Sequence, residues 1–124
     1  MTEEEGCYVF IVDDDFSIRD VFREILEDEG YSVASAANGR VALDKLRRGT
    51  RPCVILLDLM MPVMDGWQFR VEQQKDPALA EIPVVVVSAD TQVRQKAASL
   101  QAAGYLQKPT EMDVLLATVR QHCQ

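Results

Sequence analysis

Apolar runs and amphipathic stretches alternate along the chain. "CYVFIV" (Cys7 to Val12) is a continuous apolar run that stops at Asp13. Such a run suits a strand covered on both faces. Behind it, Ile18, Val21, Phe22, Ile25 and Leu26 recur at helical spacing and share one face. Ser17 is the expected N-cap of that helix, Asp20 suits its positive first turn, and Gly30 is its expected stop. "YSVASA" (Tyr31 to Ala36) predicts a shorter second strand. Asn38 then caps a helix with Val41, Ala42 and Leu46 inward, closed by Gly49. "CVILLD" (Cys53 to Asp58) is the third strand. A helix of weak periodicity follows Asp65-Gly66, with Trp67 and Val71 expected inward. After the loop "DPALAEIP" (Asp76 to Pro83), "VVVVSA" (Val84 to Ala89) is the fourth strand. Thr91 opens a mostly polar helix whose apolar stripe is only Val93, Ala97 and Leu100. "GYLQK" (Gly104 to Lys108) is the fifth strand, ended by Pro109. A last helix carries Met112, Leu115, Leu116, Val119 and Cys123.

The order is βαβαβαβαβα. Strict alternation implies an α/β fold, a doubly wound parallel sheet with helices on both faces. No linker, repeat or low-complexity segment interrupts it, so residues 1–124 read as one domain. With 48% hydrophobic residues, a chain of this length can build a core without staples.

The net charge of −7 and the pI of about 4.6 oppose a nucleic-acid or anionic membrane surface. They suit metal cations, or a partner with a basic face. The three cysteines, Cys7, Cys53 and Cys123, are odd in number and widely spaced. They read as buried or incidental thiols, with no disulfide framework. The opening "MTEEEGCYVF" is acidic where a signal peptide is basic, and no apolar run approaches the roughly 20 residues of a membrane span. A soluble cytoplasmic protein is expected.

Doubly wound sheets bind ligands at the carboxyl ends of their strands. Strand one ends in Asp13-Asp14-Asp15, strand three in Asp58, strand four in Ser88-Ala89-Asp90, and strand five in Lys108-Pro109. Strand two offers only Ala36-Ala37-Asn38. Singly, each residue has a plain role. Acids are common in turns, Ser88 suits a cap, Lys108 a solvated charge, Pro109 a strand end, and Tyr105 a core or edge position. Together, four of five strands deliver complementary chemistry to one rim. Clustered carboxylates repel and raise one another's pKa, so the cluster calls for a cation. Oxygen ligands select Mg²⁺, with Mn²⁺ as the alternative. Asp58 is then a candidate nucleophile toward phosphorus, ionised at neutral pH and needing no general base. Mg²⁺, Lys108 and Ser88 would each take one equatorial phosphoryl oxygen.

In these residues the chain resembles a response-regulator receiver domain of two-component signalling, over essentially its whole length. The matching features are Asp13-Asp14, "DLMMPVMDG" around Asp58, Ser88 after the valine run, and "YLQKP" from Tyr105 to Pro109. The resemblance implies a flavodoxin-like (βα)5 fold with strand order 2-1-3-4-5. It implies Asp58 as phosphoacceptor, Asp14 as direct Mg²⁺ ligand, and Asp13 holding the metal through water. Met60 would give its backbone carbonyl to the metal. Ser88 and Tyr105 would be the switch residues, Lys108 the phosphate-binding lysine, and Lys108–Pro109 a cis peptide. The implied donor is a histidine kinase or a histidine phosphotransfer protein. Phosphorylation would reshape the face made by the fourth helix, fifth strand and fifth helix, and so change contacts with an unspecified downstream protein. The implied protein is a signalling switch, an enzyme only toward its own phosphorylation and dephosphorylation.

Three positions depart from the commonest pattern. Thr110 stands where phenylalanine often follows Lys-Pro. Ala103 and Gly104 stand where many transcription-factor receivers carry two acids that support a salt-bridged dimer, so that dimer is not expected. Two other readings remain open. A phosphatase with an aspartyl-phosphate intermediate needs an acid two residues after Asp58, where Met60 cannot serve. A receiver-like module working without phosphorylation usually lacks a site residue, and none is lost here. The chain is expected to be either a single-domain regulator or a piece of a longer protein.

Overall fold

The computed structural model describes residues 8–123, so Cys7, expected at the start of the first strand, lies outside them. Along the chain come β1 (Tyr8–Val12), α1 (Phe16–Asp28), β2 (Ser32–Ala36), α2 (Gly39–Arg48) and β3 (Val54–Leu57). They are followed by α3 (Gly66–Lys75), β4 (Val84–Ser88), α4 (Val93–Ser99), β5 (Gly104–Gln107) and α5 (Met112–His122). The five strands form one parallel sheet in the order β2-β1-β3-β4-β5, as expected.

Strand side chains alternate between two cores, because successive residues point to opposite faces. Val9, Ile11, Val54, Leu56, Val85 and Val87 pack against Phe22 and Leu26 of α1 and Leu115, Leu116 and Val119 of α5. Phe10, Val12, Ile55 and Leu57 pack against Ala42, Leu43 and Leu46 of α2 and Phe69 of α3. A smaller cluster joins Val86 and Leu59 to Val93, Ala97 and Leu100, the stripe expected for α4.

Several local expectations need correction. Asp15, not Ser17, caps α1: its carboxylate accepts the N–H groups of Ser17 (2.9 Å) and Ile18 (3.3 Å). A carboxylate two and three residues upstream reaches those donors, so the helix starts earlier and Asp20 falls beyond its first turn. Gly30 does end α1, at φ +95°, with Tyr31 N–H donating to the Leu26 carbonyl. That left-handed conformation suits glycine. Asn38 caps α2 as expected, but Leu43 takes the inward place and Val41 is exposed. The expected opening residue of α4, Thr91, lies before it, and no side chain caps that helix. Met112 is exposed on α5.

The largest correction is α3. Trp67 and Val71 are exposed, and the buried positions are Phe69, Arg70 and Gln73. Arg70 donates to the carbonyls of Leu100 (2.9 Å) and Gln101 (2.7 Å) and to Oε1 of Gln73 (2.8 Å). Gln73 in turn donates to the carbonyls of Leu79 and Ile82. Two polar residues can face inward because their hydrogen bonds are met there, and that is why the apolar period is weak.

The cysteines also differ from expectation. Cys53 and Cys123 form a disulfide with Cα atoms 5.6 Å apart, across a sequence separation of 70. The end of α5 returns to the start of the central strand β3, and the fold makes neighbours of residues that no sequence spacing connects.

Candidate functional site

Three of the candidate residues are fixed by backbone bonds that extend the strand ladder one step beyond its end. Asp13 N–H donates to the Ala36 carbonyl (3.1 Å), Asp58 N–H to Val12 (2.9 Å) and Lys108 N–H to Ser88 (2.9 Å). The strand ends themselves therefore place these side chains. The Asp13 backbone is further held by Arg19, which donates to its carbonyl at 2.7 Å.

The sequence-expected residues meet at one edge of the sheet. Asp13, Asp14 and Asp58 offer carboxylate oxygens that lie within 4.8 Å of one another, with Asp13 and Asp58 buried and Asp14 exposed. One Asp13 oxygen accepts the Asp15 N–H at 2.9 Å, and the other faces Lys108 Nζ at 2.9 Å. Lys108 Nζ is 3.8 Å from Asp58. Ser88 is buried, and its hydroxyl accepts the Asp90 N–H at 3.1 Å. Met60 N–H lies 3.5 Å from an Asp58 oxygen, while its side chain points to solvent. The Lys108–Pro109 bond is cis. Tyr105 sits apart from this group, 45% exposed on β5.

Burial, then the charge of Asp13, pushes the Asp58 carboxyl up from 3.8 to about 6; Lys108 and the N–H groups of Met60 and Leu59 only partly oppose this. Two buried acids with a third beside them carry more negative charge than one lysine balances. Three convergent carboxylates therefore fit a hard divalent cation.

The loop after Asp58 folds tightly against it. Met64 N–H donates to the Pro62 carbonyl at 2.7 Å, and Val63 between them has φ +68°. Gly66 opens α3 directly against the β3 end, with its N–H on the Leu59 carbonyl at 3.0 Å. A Cβ at Gly66 would lie 2.5 Å from the Asp58 carbonyl oxygen and 2.8 Å from Leu59 Cα. Asp65 caps this helix through a reciprocal pair with Gln68, a structural role.

A cleft of 590 Å³ opens over Asp58. It is lined by Leu59, Met60, Trp67, Ser88, Ala89, Asp90, Lys96 and Lys108 as well. Trp67 and Lys96 were not expected there. Trp67 was legible in principle, because the first turn of a helix that starts at the rim must border the rim. Lys96 carried no such signal: its partner Asp90 lies outside α4, beyond any helical pairing rule.

A family model for the response regulator receiver domain matches residues 9–120. The chain is 39% identical over 114 residues to the response regulator MprA of Mycolicibacterium vanbaalenii, covering 90% of this chain and 48% of that protein. It thus spans about half the length of the curated relatives it matches. Among solved structures, it resembles the chemotaxis protein CheY4 of Vibrio cholerae at 34% identity and a TM-score of 0.84. That match covers 94% of this chain and 98% of the other. The receiver domain of a signal transduction histidine kinase from Syntrophus aciditrophicus is 31% identical with a TM-score of 0.82, over 94% of this chain and 89% of that one.

Proposed function

Because the chain belongs to the response regulator receiver family, signalling switches typically phosphorylated by histidine kinases, we propose that Asp58 accepts a phosphoryl group from a histidine kinase or a histidine phosphotransfer protein. The observation that carries this reading is the convergence of Asp58, Ser88 and Lys108 on one cleft, with the carboxylates of Asp13 and Asp14 clustered beside Asp58. An ionised Asp58 oxygen attacks phosphorus, the donor histidine nitrogen leaves, and an acyl phosphate results. Asp13, Asp14, Asp58 and the Met60 carbonyl would hold Mg²⁺, or Mn²⁺ in its place. When bound, the metal neutralises charge on the phosphoryl oxygens. Lys108, already beside Asp58, supplies a second positive charge, and Ser88 a hydroxyl for a third oxygen. These are prepositioned charges that stabilise the transition state, and the chain acts as a catalyst only on itself.

The switch follows from Ser88. Its hydroxyl rests on the Asp90 N–H, and drawing it toward the phosphoryl group frees the start of the β4–α4 loop. Tyr105, exposed here, turns inward behind it. The outcome is a population shift between two arrangements of α4, β5 and α5, read by a downstream protein. We place the exchange in the cytoplasm; no described helix is long and apolar enough to cross a membrane.

The test is incubation with acetyl phosphate and Mg²⁺, followed by intact-protein mass. Wild type is expected to gain one phosphoryl group, and Asp58→Asn none. Equal behaviour of the two proteins would favour a receiver-like module that works without phosphorylation.

A further inference from the structure

Two lysines border the cleft over Asp58, and only Lys108 has a role in the proposed reaction. Lys96, from the middle of α4, is paired with the Asp90 carboxylate. Asp90 ties three things together. Its N–H holds the Ser88 hydroxyl at 3.1 Å, one carboxylate oxygen accepts the Gln92 N–H at 2.7 Å, and the other takes Lys96. Lys96 holds that carboxyl below the usual range. Both side chains are about one-third exposed. An ammonium on a four-carbon stem at such a position exchanges partners readily.

We propose that Lys96 is a second phosphoryl-binding lysine of this cleft, held on Asp90 until Asp58 is phosphorylated. The inference rests on the reading of Asp58 as phosphoacceptor. A phosphoryl group at Asp58 brings a charge of about −2 to a cleft that Lys96 already lines, against a single charge on Asp90. The same event draws Ser88 off the Asp90 N–H, and so loosens the segment that presents Asp90 to Lys96. The exchange of partner then pulls on α4. That helix is easily moved at its start: it has 7 residues, no side-chain cap, and a narrow apolar stripe. Its far end is anchored, because Arg70 of α3 donates to the Leu100 and Gln101 carbonyls. Motion is thereby directed to the end that borders the cleft.

The experiment is a double-mutant cycle on beryllofluoride affinity, measured by fluorine NMR with Mg²⁺ present. Beryllofluoride stands in for the phosphoryl group on Asp58. Lys96→Gln is expected to weaken binding about tenfold, the scale of one charge-assisted hydrogen bond. Asp90→Asn is expected to tighten it several-fold by releasing Lys96. That gain should vanish in the double variant, and Lys96→Arg should keep most of the affinity. If the pair only braces α4, both single variants shift affinity in the same direction, and the proposal is wrong. If Asp90 acts only through space, its gain persists in full without Lys96, which is equally fatal. No change in Lys96→Gln also overturns it. Wild type that binds no better than Asp58→Asn overturns the phosphoacceptor reading itself, and this proposal with it.

Discussion

Lys108 Nζ lies 2.9 Å from an Asp13 oxygen, closer than its 3.8 Å approach to Asp58. The lysine is thus shared unequally between two buried acids. Asp13 has the nearer share, and its own charge is the second cause, after burial, of the raised pKa of Asp58.

A pH dependence follows. The folded pKa of Asp58, about 6, stands above its ordinary 3.8, so the folded state binds the proton more tightly. The stability this contributes is fully present below about pH 4 and is lost as pH rises through about 6. Metal-free Asp58→Asn should therefore melt higher than wild type above pH 6, and the difference should close at pH 4. Carbon NMR of the Asp58 carboxyl should give a midpoint near 6, lowered in Asp13→Asn and raised in Lys108→Met.

Gly66→Ala tests how closely α3 is set against the acceptor strand. The new methyl would meet the Asp58 carbonyl oxygen at 2.5 Å and Leu59 Cδ2 at 2.9 Å. Backbone cannot yield as a side-chain tip can. A loss of about 1–3 kcal/mol is expected from urea titration, together with slower phosphorylation by acetyl phosphate.

Arg70→Met should be among the costliest substitutions outside the apolar core. It strands the Leu100 and Gln101 carbonyls and the Gln73 side chain, for an expected loss of about 2–4 kcal/mol. Arg70→Lys should recover little, since one ammonium cannot serve this fork of acceptors. Chemical denaturation of both variants checks this.

Reduction of Cys53–Cys123 releases a loop spanning 70 residues. The chain-entropy account gives a cost of about 4 kcal/mol, and a Tm lower by roughly 15 °C. Thermal melts with and without reductant should show that drop in wild type and none in Cys123→Ser.

The sheet and the rim were legible in the sequence for one reason. Parallel strands are apolar on both faces, so their polar ends stand out, and they all deliver those ends to the same edge. Asp13, Asp58, Ser88 and Lys108 follow from that rule alone. What stayed hidden depends on contacts between distant segments. Arg70 and Gln73 are inward because their acceptors arrive from other segments, up to 31 residues away. Cys53 and Cys123 meet only once α5 has crossed back along the sheet. The cap of α1 was a choice between neighbouring residues, and reach to the donors favoured Asp15.

The central claim concerns one atom, and borohydride trapping tests it most directly. Protein treated with acetyl phosphate and Mg²⁺ is reduced, which converts an acyl phosphate to the alcohol, and the residue is located by peptide fragmentation. Homoserine at position 58, and nowhere else, is the expected result. Homoserine at position 13 or 14 with none at 58, or no homoserine at all, would contradict the account.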